Sequence, residues 1–187
     1  ELPDGMRKNE AFPEPIITPS TKAAQGEHDE SVAPSELYKR GVVDPGLYKE
    51  LARISMKLYE RGVARAADHG MIFVDTKYEF GISNGKIMLM DEVNTPDSSR
   101  YWIKDDYESR FEKGEEPRKL DKEYVRTWLS EQGFTGEGTP PKLTDDIRVE
   151  ASARYMEVVE KFTGEPMQLD VGPVDESIYS ILNPFAY

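Results

Sequence analysis

The sequence contains no cysteine and only two histidines, His28 and His69, among its 187 residues. Without thiols the chain can form no disulfide, no cysteine–zinc site and no thiolate nucleophile. Two imidazoles are also too few for a histidine-rich metal centre. Neither a GxGxxG nor a GxxxxGKS phosphate-binding loop occurs, and no Ser-His-Asp arrangement with its supporting motifs is present. Catalysis by a cysteine thiolate is therefore excluded, and the sequence shows no sign of a serine triad or of a glycine-rich phosphate-binding loop.

Long apolar runs and an excess of positive charge are missing as well. No stretch is long and apolar enough to span a bilayer or to act as a secretory signal, so a cytoplasmic location fits. The net charge of −12 at pH 7 argues against nucleic acid or an anionic membrane surface as the main partner. An anionic substrate remains possible where cations are concentrated locally. The length suits one sizeable globular domain with long polar loops.

The most informative stretch runs from residue 71 to residue 102. Four apolar residues open it, and Asp75, Lys77 and Glu79 then follow at every second position. Because alternate side chains of a strand share a face, we expect acid, base and acid on one face. The other face, with Val74, Thr76, Tyr78 and Phe80, is predicted to be the core face. The simplest interpretation of the charged face is a solvated surface with ion pairs that contribute little stability.

A second interpretation of the charged face is a two-carboxylate Mg²⁺ site. Glu79 on the first strand and Asp91 on the returning strand could hold the ion, which is usually shared with substrate phosphates. Lys77 could neutralise a phosphate or a carboxylate beside it. The residues alone leave both interpretations open.

The hairpin turn decides which faces the two carboxylates occupy. The Asn-Gly pair at 84–85 is typical of a two-residue turn, which would pair Ser83 with Lys86. Glu79 and Asp91 would then point to opposite faces of the hairpin. A longer connection or a bulge would shift the register by one residue and bring them together. The metal interpretation therefore requires that the simple turn is wrong.

Helices are predicted on both sides of this hairpin. Asp44 followed by Pro45 is a typical helix start, and apolar residues at helical spacing carry the helix to about Asp68. A charged loop of 15 or more residues is predicted within 103–120, and the sequence leaves open whether it is an ordered lid. A further helix precedes a last one over 144–164. The order of elements indicates an α+β fold, with helices packed on a largely antiparallel sheet.

Two cations mark the start of the helix that follows the charged loop. Lys122 and Arg126 are four residues apart and therefore lie on one helical face. Near Arg100, they could hold a phosphate. Alternatively, they are two surface cations on an acidic protein.

Several motifs together carry a resemblance to a known family. DTKYEFG at 75–81, followed by DEVNTPDSSRYW at 91–102, closely resembles the SAICAR synthetases, ligases of purine biosynthesis, for which Asp-x-Lys-aromatic-Glu-Phe-Gly is a signature. PEPIITPSTKAAQGEHDE at 13–30 is similar to the family's loop after the nucleotide hinge. DK(x)₃R recurs there at the position of 121–126. The resemblance extends from about residue 12 to residue 164.

The resemblance implies roles for individual side chains. Glu79 and Asp91 correspond to the carboxylates that hold Mg²⁺-ATP, and Lys22 to an ATP contact, although by composition its loop is an ordinary connector. Asp75 and Lys77 are implied as catalytic residues, with Asp75 as a candidate acceptor of the amine proton. Substrate-binding positions are implied at Asp75, Lys77, Ser99, Arg100, Lys122 and Arg126.

The resemblance also implies an activity. The family joins L-aspartate to carboxyaminoimidazole ribonucleotide through a probable acyl phosphate, consuming ATP and giving SAICAR, ADP and phosphate. The implied fold is the larger C-terminal lobe of an ATP-grasp-like enzyme. An alternative from another class is a non-catalytic nucleotide- or metal-binding lobe that only completes a partner domain. The sequence leaves open whether copies of the chain form a homo-oligomer.

The expected organisation has three parts. Residues 1–34 form an extended entry segment and cleft loop, residues 35–164 the ATP- and substrate-binding lobe, and residues 165–187 a C-terminal tail. The lysines and the Arg…Ser-Gly-Ser motif of the family's N-terminal ATP-binding lobe are not found. We therefore expect the sequence to be the C-terminal two-thirds of such an enzyme, inactive without the missing lobe as its partner.

Overall fold

The computed structural model describes residues 4–21, 30–168, 172–173, 176 and 178–179. In chain order its elements are β1 (Ser20–Thr21), β2 (Glu30–Ser31), α1 (Pro34–Lys39), α2 (Pro45–Asp68), β3 (Met71–Thr76), β4 (Glu79–Ser83), β5 (Lys86–Met90), β6 (Ser99–Ile103), α3 (Tyr107–Lys113), α4 (Glu123–Glu131) and α5 (Asp145–Thr163). The strands form three antiparallel ladders, β1 with β2, β3 with β6 and β4 with β5. The predicted α+β class is confirmed.

Helix α2 begins and ends where the sequence predicts. The Asp44 side chain accepts a hydrogen bond from the backbone N–H of Leu47 at 2.9 Å, which satisfies one of the free amides of the first turn. The helix runs to Asp68. Gly62 is buried, and a Cβ at this position would lie 2.8 Å from the Phe73 ring. The glycine therefore allows α2 to approach β3 closely.

The core lies where α2, β3, β6 and α5 meet. Its buried members are Ala66, Met71, Phe73, Tyr101, Ile103, Leu120 and Val158, with Tyr59 and Phe162 packed against them. The Phe73 ring centroid is 5.4 Å from that of Tyr59 and 5.1 Å from that of Tyr101. An aromatic cluster of this kind buries a large apolar area.

The stretch predicted as one strand over 71–80 is two strands with different partners. β3 pairs with β6, and its register shifts between Phe73 and Asp75. β4 pairs with β5 instead. The buried side chains of β3 are Met71 and Phe73, whereas Val74 and Thr76 are half-buried. The predicted core face was wrong because the irregular register and the strand break interrupt the alternation of side chains.

The charged segment after β6 is more regular than predicted. It contains α3, which ends at Gly114 with φ of 70°. The Tyr107 ring stacks on that of Trp102 at 5.9 Å, and its hydroxyl donates to the carbonyl of Asn9 at 2.7 Å. These contacts anchor α3, so the prediction that one continuous loop of 15 or more residues lies within 103–120 was wrong.

Residues 118–120 then return along β6. The Ile103 amide donates to the Arg118 carbonyl at 2.9 Å, and the Leu120 amide to the Tyr101 carbonyl at 2.8 Å. This pairing places the start of α4 beside the first half of β6. Helix α5 then begins at a Thr144 cap and is ended by Gly164, as predicted. None of the helices in the described part of the chain combines the length and apolar character needed to cross a bilayer.

Candidate active site

A cavity of about 780 Å³ opens between α2, the segment 12–21 and the junction of β3 with β4. Most of its wall is apolar, with side chains such as Leu51 and Met56 of α2. Asp75, Lys77 and Glu79 all line it as well. Apolar cavities with a few polar groups are typical of ligand sites. The three charged positions therefore meet at one cavity even though the strand that carries them is interrupted.

The break between β3 and β4 holds an acid and a base together. The Lys77 ammonium lies 2.8 Å from a Glu79 carboxylate oxygen, and the Glu79 side chain is only 16% exposed. The Lys77 amide donates to the carbonyl of Ser98 at 3.1 Å. The segment after β5 therefore fixes the backbone at the point where the strand changes partner.

The hairpin has the simple two-residue turn, so the register shift that the two-carboxylate site required is absent from the β4–β5 ladder. Ser83 pairs with Lys86, and Glu79 lies opposite Met90. Asp91 follows one residue later with φ of +62°, which ends the strand alternation. Asp91 is exposed and is not part of the cavity wall formed by the described residues.

A metal centre built from protein ligands alone is also not formed in this part of the chain. No group of three or more His, Cys, Asp or Glu side chains in the described residues could hold a metal ion. Glu79 is thus the candidate metal ligand that the structure places at the cavity. An ion there would need further ligands from a substrate or from water.

Asp75 connects the cavity to a second set of charges. It lies opposite Arg100 in the β3–β6 ladder, and the guanidinium binds both carboxylate oxygens, one of them at 2.8 Å. The carboxylate raises the pKa of Arg100 by accepting these hydrogen bonds. The neighbouring Ser99 hydroxyl is buried and donates to the Thr76 hydroxyl at 2.8 Å. This hydrogen bond therefore links β6 to β3 next to the ion pair of Asp75 and Arg100.

Lys122 and Arg126 extend this second set of charges. The Lys122 ammonium lies 3.2 Å from Asp97, and its hydrogen bond lowers the pKa of Asp97. Arg126 pairs with Glu123. In addition to the hydrogen bond from Lys122, the charges of Lys122 and Arg126 both lower the pKa of Asp97. The charge of Glu123 adds to the effect of Asp75 in raising the pKa of Arg100. Arg100, Lys122 and Arg126 therefore belong to one group, here called the cation cluster, with a carboxylate beside each cation.

Sequence reasoning missed the buried acid in this region. Asp121 is 3% exposed and accepts hydrogen bonds from the amides of Tyr101 at 3.2 Å and Glu123 at 2.8 Å. Burial raises the pKa of Asp121, while the two amides and the Arg100 charge oppose that rise. Asp121 is the first residue of the DK(x)₃R motif, of which only Lys122 and Arg126 were predicted to have a role.

Sequence reasoning also missed the hydrogen bonds that fix the irregular segment between β5 and β6. The Tyr78 hydroxyl donates to the Asn94 side-chain oxygen at 2.7 Å, and the Tyr101 hydroxyl donates to the Asn94 carbonyl at 2.5 Å. Burial raises the pKa of Tyr78 to about 12. These bonds fix the segment against β3 and β6. Lys22, the predicted ATP contact, lies outside the described residues.

Comparison with known proteins identifies the family. Residues 1–142 match the family model for SAICAR synthetase. The chain belongs to the SAICAR synthetase family. Its relatives include a phosphoribosylaminoimidazole-succinocarboxamide synthase from Bacteroides thetaiotaomicron, which is 52% identical over 167 residues and covers 88% of this chain. One from Flavobacterium psychrophilum is 41% identical over 181 residues and covers 95% of the chain.

Solved structures of the family have the same fold. The SAICAR-synthase from Saccharomyces cerevisiae complexed with SAICAR is 35% identical, with a TM-score of 0.71 over 90% of this chain and 53% of that one. A SAICAR synthetase in complex with ADP is 26% identical, with a TM-score of 0.64 over 88% of this chain and 57% of that one. The chain spans about half the length of the curated relatives it matches, 53% of the protein from Bacteroides thetaiotaomicron and 57% of the one from Flavobacterium psychrophilum.

Proposed function

We propose that the chain supplies one side of the active site of an ATP-dependent carbon–nitrogen ligase. The reaction joins L-aspartate to the carboxylate of carboxyaminoimidazole ribonucleotide and gives SAICAR, ADP and phosphate. The observation that carries the proposal is the position of Asp75, which lines the apolar cavity and binds Arg100 of the cation cluster. The ion pair of Asp75 and Arg100 thereby connects a cavity that would hold one ligand with cations that would bind another.

The chemistry requires activation of a carboxylate, which is a poor acyl donor. A carboxylate oxygen of the ribonucleotide attacks the terminal phosphorus of ATP, and the bond from that phosphorus to ADP breaks. The resulting acyl phosphate is attacked at its carbonyl carbon by the amine nitrogen of aspartate, phosphate leaves, and the amine loses a proton. Because both steps gather anions, catalysis depends on cations placed around them.

The cationic side chains suit this demand. Lys77 at the cavity would neutralise the reacting carboxylate, and the planar guanidinium of Arg100 suits two-point binding of a carboxylate or phosphate. We propose that Lys122 and Arg126 contact the phosphate end of the ribonucleotide. Ser99 would hold the backbone beside Arg100 through its hydroxyl contact.

Asp75 is the proposed acceptor of the amine proton. In the structure it is bound by Arg100 through both oxygens. A substrate anion that binds Arg100 competes with Asp75 for the same guanidinium. Binding would therefore release the carboxylate for proton transfer at the cavity, which ties the base to the presence of substrate.

Nucleotide and metal would enter at the cavity. Mg²⁺ is usually held by one or two carboxylates, waters and phosphates, and when bound it neutralises phosphate charge. Glu79 fits this role because its largely buried carboxylate lines the cavity. Asp91 remains a proposed second ligand, but its side chain does not reach the cavity wall in this structure. Lys22 is the proposed ATP contact.

An assay of the gene product that carries this sequence tests the proposal. With ATP and Mg²⁺ present, ADP release should require both L-aspartate and carboxyaminoimidazole ribonucleotide. Binding of nucleotide without turnover would instead favour a lobe that only completes a partner domain. Turnover with L-glutamate or L-alanine in place of L-aspartate would indicate a different ligase.

Glu79→Gln tests the proposed metal ligand. The amide has the same shape but no charge, so Mg²⁺ affinity should fall at least about tenfold and turnover should be lost while folding is retained. Glu112→Gln, which removes one charge from the exposed surface of α3, is the matched control and should leave both unchanged. Wild-type turnover in Glu79→Gln would remove this residue from the site.

A further inference from the structure

Asp121 is the one buried carboxylate among the residues that the structure describes, with 3% of its surface exposed. Burial of a charged group is unfavourable unless hydrogen bonds compensate for the lost water. The proposed chemistry does not use this residue.

Both oxygens of Asp121 bind backbone amides next to members of the cation cluster. One oxygen accepts from the Tyr101 amide at 3.2 Å, and the other accepts from the Glu123 amide at 2.8 Å. Tyr101 directly follows Arg100, and Glu123 directly follows Lys122. One carboxylate thus ties the backbone at Arg100 to the backbone at Lys122.

The contact lies at a corner of the fold. Residues 118–120 pair with β6 up to the bond from the Leu120 amide to the Tyr101 carbonyl at 2.8 Å. The chain then leaves the sheet and enters α4, whose first-turn amides have no partner within the helix. A carboxylate is favourable at this end of a helix. Asp121 therefore sets where α4 begins relative to β6.

We propose that Asp121 is a positioning residue that sets the spacing between Arg100 on β6 and Lys122 with Arg126 on α4. With that spacing fixed, the three cations bind the phosphate end of one anionic substrate together. The proposal rests on the proposed function only for the identity of that substrate. A residue with a merely structural role would lower stability and leave anion affinity unchanged.

Asp121→Asn separates these two roles in the gene product that carries this sequence. The side chain keeps its volume, but its NH₂ group cannot accept from an amide, so one of the two bonds is lost. Ribose 5-phosphate, titrated by calorimetry, reports on the cluster without the chemical step. We expect binding to weaken between about 10- and 100-fold, by analogy with the loss of affinity seen when a residue that orients the ligands of a bound ion is changed. The KM for the ribonucleotide should rise similarly, with a smaller change in kcat.

The control is Thr144→Ala, which removes the side-chain cap of α5 and lowers stability away from the cluster. It should bind ribose 5-phosphate as the wild type does. In an Arg100→Ala background, Asp121→Asn should cost much less affinity than it does alone, because no spacing between Arg100 and the cations of α4 remains to be set. Fully additive losses would identify a structural role and overturn the proposal.

Two other results would overturn the proposal as well. The first is wild-type affinity for ribose 5-phosphate in a folded Asp121→Asn variant, and the second is a wild-type protein that does not bind ribose 5-phosphate. If Asp121→Asn does not fold, hydrogen exchange in the wild type decides the matter. Saturating ribose 5-phosphate should slow exchange of the Tyr101 and Glu123 amide protons, and unchanged exchange would refute the link. Absence of ligase turnover with these binding results intact would refute the proposed function alone.

Discussion

Replacing Gly62 by alanine tests the closest contact between α2 and β3. Helix propensity alone favours alanine over glycine by about 0.8–1.0 kcal/mol in a helix interior. The structure opposes this gain, because the new Cβ would lie 2.8 Å from one Phe73 ring carbon and 3.0 Å from the Asn94 amide nitrogen. At least one neighbour would have to move.

Neither neighbour can move without losing other contacts. Phe73 is 3% exposed and lies between the rings of Tyr59 and Tyr101. Asn94 accepts hydrogen bonds from the hydroxyls of Tyr78 and Tyr101. Overpacking a core typically costs about 1–3 kcal/mol. After subtraction of the propensity gain, Gly62→Ala should lower the free energy of unfolding by about 1 kcal/mol.

Urea denaturation followed by circular dichroism measures this change. For a chain of this size the melting temperature should fall by about 2–4 °C. Ala64→Gly, at an exposed position of the same helix, is the control and should cost about 1 kcal/mol from propensity alone. An increase in the free energy of unfolding for Gly62→Ala, with the control behaving as expected, would refute the close contact between α2 and Phe73.

Three further predictions concern the cap of α2, the buried phenol and the buried acid. Asp44→Ala should lower the free energy of unfolding by about 1 kcal/mol in urea denaturation, because the Leu47 amide loses its acceptor; no loss would contradict the cap. Tyr78→Phe should cost about 1 kcal/mol and should remove a phenol from the ultraviolet absorbance step near pH 12; an unchanged step would contradict its burial. Burial raises the pKa of the Asp121 carboxyl in the folded state. Between the unfolded pKa of about 3.9 and this higher folded pKa, the folded state holds a proton that the unfolded chain has lost, so the free energy of unfolding falls as pH rises through that interval. Stability curves of Asp121→Asn should lack this fall, and identical curves would contradict the raised pKa.

Helix boundaries could be predicted because their causes are local. An acceptor side chain placed before Pro45, and Thr144 before two acids, satisfy first-turn amides within four residues of sequence. The structure has both caps. Gly164 likewise ends α5 with φ of 74°, a conformation that glycine adopts without cost.

The strand break over 71–80 could not be predicted because its cause is distant in sequence. The Lys77 amide pairs with the Ser98 carbonyl, and Asp75 faces Arg100 of β6 rather than the adjacent hairpin. Alternation alone cannot reveal which strand a residue pairs with. Asp75, Lys77 and Glu79 do line one cavity, but the prediction that they share one strand face was wrong, because β3 and β4 have different partners.

Helix α3 was missed for a different reason. Its segment is dominated by charges, which suggested a loop, yet Tyr107 and Phe111 are four residues apart and their rings stack at 5.9 Å. Tyr107 also stacks on Trp102. That aromatic spacing was a helical signal within a polar composition. Composition was therefore a poorer guide here than the spacing of the few large apolar residues.

Every cation in the cluster is paired with a carboxylate, and this pairing is compatible with the proposed binding of an anionic substrate by an acidic chain. With a net charge of −12, unpaired cations would be attracted to any nearby carboxylate, and the structure shows Asp75, Asp97 and Glu123 in those places. Exposed pairs of this kind contribute only about 0–1 kcal/mol each, so a phosphate or carboxylate of a substrate can displace them at small cost. The carboxylates then hold the cations in place before binding without blocking it. On this argument the affinity for an anion depends less on the number of cations than on how closely they are spaced, and Asp121 is the residue that sets that spacing.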